Sequence, residues 1–234
     1  MNKSKQKHDY DKSNPWIWID IETSGLDPDR SEILEIYAVV TDSNMMPVDH
    51  LHLLLHHPVN VLLHRSSHWC KRHFGKYGNG LFNECNYSTL SYADAEHHLW
   101  NFFEFYATNP IGTTRPLNEQ RPFFDRTLGA AGQHINEEEE YHVSNRPHRL
   151  IMLAGSTIHF DREFLLKYFP CLRKLLNHKV IDVTSLLESV RRFNPEALGS
   201  LPKPQNIHRA GADIYDSINL YKYIKDNVLK IKYN

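Results

Sequence analysis

The segment Trp16-Ile17-Trp18-Ile19-Asp20-Ile21-Glu22 alternates with strict period two. Side chains of a strand point to opposite faces in turn, so Ile17, Ile19 and Ile21 share one face and Trp18, Asp20 and Glu22 the other. Isoleucine throughout one face and tryptophan on the other predict a strand covered on both sides, at the centre of a sheet. A covered strand seldom carries two unpaired acids, because a carboxylate without a partner is costly to take out of water. On an exposed strand the Asp20/Glu22 pair would be no more than a solvated face. Here a bound cation would remove the cost. Two hard cations about 4 Å apart could share such carboxylates, activating a water and stabilising the leaving oxygen of a phosphodiester.

The rest of the chain supplies a sheet and its covering helices. Gly25 with Asp27-Pro28-Asp29 marks a turn, residues 33–41 read as a second strand, and a third follows around 50–56. Residues 92–107 read as a helix with Ser91 as N-cap and Asp94 at the third helical position. Then come a short apolar strand at 149–154, a helix at 161–168 stopped by Pro170, a short strand at 179–182 and a helix at 184–193. A last helix at about 210–229 puts Ile214, Ile218 and Tyr221 on one stripe. Strands first and alternating helices and strands afterwards predict an α/β chain, a mixed sheet flanked by helices. Residues 108–148 show no convincing period and hold the acidic run 137–140, a connection too long for an ordinary loop. Residues 1–14 are polar and lysine-rich, include Asp9 and Asp11 and lack an apolar core, which predicts a flexible tail rather than a targeting segment. Residues 15–234 then form a single domain carrying the 108–148 insertion.

Composition narrows the class. Lys plus Arg number 27 and Asp plus Glu 28, for a net charge of −1, while 41% of residues are hydrophobic. Such a chain builds one sizeable core, has no apolar run long enough for a bilayer and is not a strongly basic protein that coats long nucleic acid. Cys70, Cys85 and Cys171 are scattered and odd in number, as reduced thiols of an intracellular, cytoplasmic protein are. The histidines between 50 and 73 raise the question of zinc, but no cysteines accompany them and no structural zinc site is predicted.

Holding two dications takes more carboxylates than two. Asp161 stands at a helix start, where an acid also complements the helix dipole. Asp213 follows His208 by five residues near the start of the last helix, a pairing that would leave the imidazole free to take a proton from an attacking water.

In this order the acids and the histidine resemble the three motifs of the DEDDh exonucleases: DIET at 20–23, Asp161 at a helix start, and HRAGAD at 208–213. The likeness narrows to the oligoribonuclease family. WIDIETSGLDP at 18–28 and ILEI at 33–36 are similar to its first motif region. WCKRH at 69–73, Ala154-Gly155, KYFP at 167–170, IDV at 181–183 and RRFNPE at 191–196 look like its later signatures. The resemblance covers about 16–228, apart from 108–148. It implies an RNase H-like fold and 3′-to-5′ hydrolysis of short oligoribonucleotides, down to dinucleotides, to 5′-mononucleotides. It also implies two divalent cations, Mg²⁺ or Mn²⁺, and a homodimer. Carried over by position, Asp20, Glu22, Asp161 and Asp213 are metal ligands and His208 the general base. Leu26 matches a leucine that wedges against the bases, Trp69 a tryptophan beside the 3′ nucleotide, and His73 a substrate-contacting histidine. Thr157, Lys179 and Thr184 match polar positions that cap the 5′ phosphate.

The chain departs from the family pattern at several of these places. Phe74 stands where many members have a second histidine, His178 where the family has a tyrosine contributed across the dimer interface, and Lys179 where it has an arginine. Lysine offers a point charge in place of a bidentate fork. Two alternatives therefore stand beside the short-RNA exonuclease: a DEDDh exonuclease acting on longer RNA or single-stranded DNA, and a non-catalytic protein that binds short RNA.

Overall fold

The computed structural model describes residues 15–116 and 149–229. The expected N-terminal tail and residues 117–148 of the insertion lie outside the described residues. The first strand, β1 (Trp16–Thr23), runs up the middle of a five-stranded sheet, with β2 (Ile33–Thr41) and β3 (Pro47–Leu54) on one side. On the other side lie β4 (Ile151–Gly155) and then β5 (Leu176–Asp182). The β1–β2 and β2–β3 pairs are antiparallel, whereas β4 and β5 join in parallel, giving the mixed sheet that the order of elements predicts.

The two faces of β1 behave as their alternation demands. Ile17, Ile19 and Ile21 enter the larger core, against Leu99, Phe102 and Phe103 of α4 (Tyr92–Thr108) and Ile158, Phe164 and Leu165 of α5 (Ile158–Tyr168). Trp18 enters the smaller one with Val39, Ala154 and the stripe Ile214/Ile218 of α7 (Ala210–Tyr223). Fully buried, the Trp18 indole still finds a partner, donating from Nε1 to Thr41 Oγ1 at 3.1 Å. Ser91 and Asp94 close a reciprocal capping box at the start of α4.

Boundaries differ from the sequence reading in instructive ways. Three short helices, α1 (Val59–Arg65), α2 (His68–Phe74) and α3 (Leu81–Tyr87), fill a stretch in which the sequence suggests no helix. Each is only 7 residues long, too short to display a period. The helix carrying Asp161 begins three residues earlier than expected, and β5 starts at Leu176 rather than 179. The third strand starts at Pro47, and α6 (Val183–Phe193) follows β5 without a break. The last helix gives way to a π turn over Ile224–Val228. The insertion leaves and re-enters at one place, because Arg149 N donates to Ala107 O at 3.1 Å. Its first residues are anchored: Arg115 is buried, its Nε 2.8 Å from Asp49 Oδ2 and its guanidinium over the Phe102 ring. Among the described residues, no helix is long and apolar enough to cross a membrane.

Gly155 ends β4 directly beside β1. A Cβ there would stand 2.8 Å from the Ile19 carbonyl oxygen, so only glycine lets the chain pass this close and bring α5 to the middle of β1.

Candidate active site

Strand β1 sends Asp20 and Glu22 out on one face, and α7 brings Asp213 to them in its first turn. One ligand oxygen from each of these three carboxylates can be chosen so that all lie within 4.8 Å of one another. Asp161 does not join that trio. It lies in the first turn of α5, is buried, and accepts a hydrogen bond from Ile21 N at 2.9 Å, so it is tied to the strand between Asp20 and Glu22.

The electrostatics of the group are unfavourable as it stands. Burial first, and then the charges of Asp161, Glu22 and Asp213, push the Asp20 carboxyl well above the usual range. Burial, Asp213 and Glu35 push Glu22 up to about 8. Asp161 is likewise raised to about 8, chiefly by burial and against the hydrogen bond from Ile21. Asp213 is raised by burial, with the nearby His208 acting in the opposite direction. Packed acids that raise one another are what a divalent ion and its oxygen-seeking chemistry fit. The donor set, oxygen only and partly open to solvent, suits a hard cation and not zinc held by thiolates.

A further buried acid shows the contrast. Glu35 lies directly across from Glu22 in the β1–β2 ladder, yet it is held below the usual carboxylate range. Burial alone would raise it; hydrogen bonds from His52 and Arg209 outweigh burial. His52 Nε2 donates at 2.7 Å, and Arg209 donates twice at 3.0 Å while its other edge engages Glu84 at 2.7 and 2.8 Å. Ala210 N adds a bond to Glu35 at 3.2 Å. The sequence offers no signal for this network, whose members lie 174 and 125 residues apart.

His208 precedes α7 and packs against aromatic neighbours. Trp69 and His73, one turn apart on α2, stack with ring centroids 3.9 Å apart, and the His208 ring stands edge-on to both at 5.0 and 5.2 Å. Trp69 remains half exposed, so its ring is open to a planar ligand. An open cavity of about 710 Å³ borders His73, Asn79 and His208, with Lys71, Arg72 and Lys76 in its wall.

Leu26 is exposed at the tip of the β1–β2 loop. That loop is fastened from behind: Ser24 and Glu32 bond to each other, and Lys167 of α5 reaches Asp29 at 2.6 Å and the Pro28 carbonyl. Thr157 and Thr184 face one another, their hydroxyls 3.0 Å apart, and both backbone N–H groups donate to Asp182 Oδ1. His178 and Lys179 are exposed on β5, an edge strand. Among the described residues, neither shares a hydrogen bond or ion pair with the carboxylates, and the Lys179 N–H donates to Asn177 Oδ1. Of the histidines that raised the question of zinc, His56 bonds to Ser88 O, His57 to Ile33 O and His52 to Glu35.

Comparison with solved structures finds the same fold. Exonuclease I of Methylocaldum szegediense aligns with a TM-score of 0.58 over 93% of this chain, at 14% identity. The zinc-bound exonuclease I–single-stranded DNA complex of E. coli aligns at 0.60 over 93%, at 13% identity. The chain spans 41% and 42% of the length of those proteins, and the likeness is one of fold. No family model matches the chain. Curated relatives match along nearly all of it. The human mitochondrial oligoribonuclease is 29% identical over 92% of this chain and 74% of its own length. The Chromobacterium violaceum oligoribonuclease is 29% identical over 94% and 98%. The oligoribonuclease of Marinobacter nauticus is 30% identical across 92% of this chain and 96% of its own length, and the chain accordingly belongs to the oligoribonuclease family.

Proposed function

We infer that the protein is a metal-dependent 3′-to-5′ exoribonuclease that shortens small oligoribonucleotides, dinucleotides included, to 5′-mononucleotides. The observation that carries this reading is the meeting of Asp20 and Glu22 of β1 with Asp213 of α7, where one oxygen from each carboxylate lies within 4.8 Å of the others. Family membership supplies the substrate class.

Asp20, Glu22 and Asp213, with Asp161 bonded to Ile21 N between the first two, are the residues that would hold the cations. Two Mg²⁺ or Mn²⁺ ions bound there would supply Lewis-acid stabilisation of the charge that builds on the phosphate oxygens. In the bare protein Glu22, raised to about 8, is largely protonated at neutral pH, and a bound cation would draw that proton off and take the carboxylate as a ligand. His208 is the general base, its imidazole taking the proton of the attacking water, with Asp213 close by. Trp69 and His73 offer a stacking surface that accepts any base, as an enzyme without sequence preference requires. Leu26 closes over the base stack from the β1–β2 loop. The Thr157/Thr184 pair and Lys179 cap the 5′ end, which sets the length of RNA accepted. The family's homodimer would add the partner's edge of the site, and the exposed β5 strand with His178 is the surface available for it.

The alternative substrate, longer RNA or single-stranded DNA, is favoured by one observation: Lys179 is an exposed monodentate cation and so a weaker cap than an arginine. Digestion of 5′-labelled RNAs from about two to about twenty nucleotides separates the two. Rates that fall steeply with length support the short-RNA reading, and comparable rates at every length overturn it. Sedimentation at assay concentration reports on the dimer; a monomer that turns over dinucleotides removes the dimer from the mechanism.

A further inference from the structure

The backbone that carries His208 is strained. Asn206 and His208 both have left-handed φ values, 55° and 52°, in a turn without glycine. A non-glycine residue holds that conformation only where its surroundings impose it. The flanks of the turn are fastened by groups already named or by α7: Gln205 N donates to Asp216 at 2.7 Å, and Arg209 is locked between Glu35 and Glu84. Asn79, from the loop between α2 and α3, acts on the turn itself. Its Nδ2 donates to the His208 carbonyl at 2.6 Å and to the Ile207 carbonyl at 3.1 Å.

The orientation of this amide is fixed by its three neighbours. Leu81 N donates to Asn79 Oδ1 at 3.1 Å, so the oxygen must face the start of α3, and the amino group must face the two carbonyls. Asn79 is itself anchored, its N–H donating to His73 O at 2.7 Å. One residue therefore joins the aromatic helix α2 through its backbone N–H, and the start of α3 and the turn that bears His208 through its side chain, although 129 residues separate the two ends of the strongest bond.

We propose that Asn79 is a positioning residue for the hydrolytic step, holding the turn Asn206–His208 by its last two carbonyls so that the His208 imidazole stands ready beside Asp213 and against Trp69 and His73. This rests on the reading of His208 as general base. A ring displaced by about 1 Å can cost up to about 100-fold in rate, and Asn79 sets the ring's main chain.

The test is a double-mutant cycle on the metal-loaded enzyme with a labelled dinucleotide. Asn79→Asp keeps the oxygen that caps α3 and replaces the donor with an oxygen facing two carbonyls. Asn79→Ala removes both contacts and serves if the aspartate variant folds poorly. In the His208 background each variant is expected to lower kcat by about 10-fold to about 100-fold with KM nearly unchanged. In a His208→Ala background the same substitutions are expected to change kcat less than about twofold, because the group they position is gone. An equal loss in both backgrounds makes Asn79 merely structural and overturns the proposal, as does a change confined to KM. The single variant His208→Ala is read separately: an unchanged kcat there defeats the general-base reading itself, whatever Asn79 does.

Discussion

Replacing Glu22 by glutamine removes a carboxyl whose folded pKa is pushed up to about 8 by burial, Asp213 and Glu35. The ordinary value of 4.5 stands for the unfolded chain. Between these two values the folded state binds more protons than the unfolded one, so the stability of the metal-free protein falls as pH rises. The loss begins above about 4.5 and is complete once pH has passed about 8. At about 1.4 kcal/mol per pH unit of displacement, Glu22 accounts for at most about 5 kcal/mol above that range. Asp20, Asp161 and Asp213 share the same proton pool, so a measured difference of about 2 to 3 kcal/mol is expected. The assay is urea unfolding of chelator-treated protein at about pH 5 and about pH 8.5. Near pH 5 Glu22 is neutral when folded, and the native and Glu22→Gln curves should lie close together. At pH 8.5 Glu22→Gln should be the more stable, and Mg²⁺ should restore the native protein while helping the variant little. Glu35 and Asp49, held low, contribute equally at both pH values, and the lowered His57 and His98 are common to both proteins. A variant no more stable than the native protein at pH 8.5 would refute the reasoning, because Glu22 would then carry no uncompensated charge.

Chelating divalent metal, or substituting Asp20→Ala, is expected to abolish RNA turnover; unchanged turnover of Asp20→Ala with metal present, read by product chromatography, would remove the site. Glu35→Ala leaves a part-buried Arg209 with only Glu84, and should destabilise by about 3 kcal/mol in urea unfolding. Trp69→Ala deletes a half-exposed stacking surface, so KM for a dinucleotide should rise fivefold or more, from the ~1–3 kcal/mol that a stacked base contributes, while thermal stability changes little. An unaltered KM would assign Trp69 to packing alone.

How far these residues were legible depends on how local their signals are. The two faces of β1 follow from seven consecutive residues, and the sheet obeys them: the isoleucines line one core and Trp18 the other. The capping box at Ser91 is equally local and equally plain. The short helices between 59 and 87 left no mark because 7 residues make barely two turns, and their burial is irregular, with Leu62 the only buried residue of the first. The helix before Asp161 starts early because Thr157 adopts a left-handed turn that nothing in its side chain announces. Asp20, Glu22, Asp161, His208 and Asp213 could be named from spacing and resemblance. What Asp161 does, accepting a bond from Ile21 140 residues away, could not. Asn79, Glu84 and Arg209 belong to the same class: ordinary polar residues whose partners are supplied by tertiary structure alone.

Glu22 and Glu35 make the argument about function sharper than either does alone. They face one another across the same ladder on one sheet, and the fold treats them oppositely. Glu35 receives Arg209, His52 and a backbone N–H, and its carboxyl is held low. Glu22 receives nothing comparable and is raised to about 8, although Arg209 stands near enough to lower it in part. A sheet able to deliver a guanidinium to one acid was able to deliver one to its neighbour. The asymmetry therefore marks Glu22, with Asp20 and Asp213, as a charge reserved for something outside the chain, and Glu35 as a strut. The strut also has a position: Arg209 is covalently next to His208. The ion pair that is complete within the protein thus secures the loop that carries the base, while the acids left incomplete face the place where a cation and a phosphate would meet.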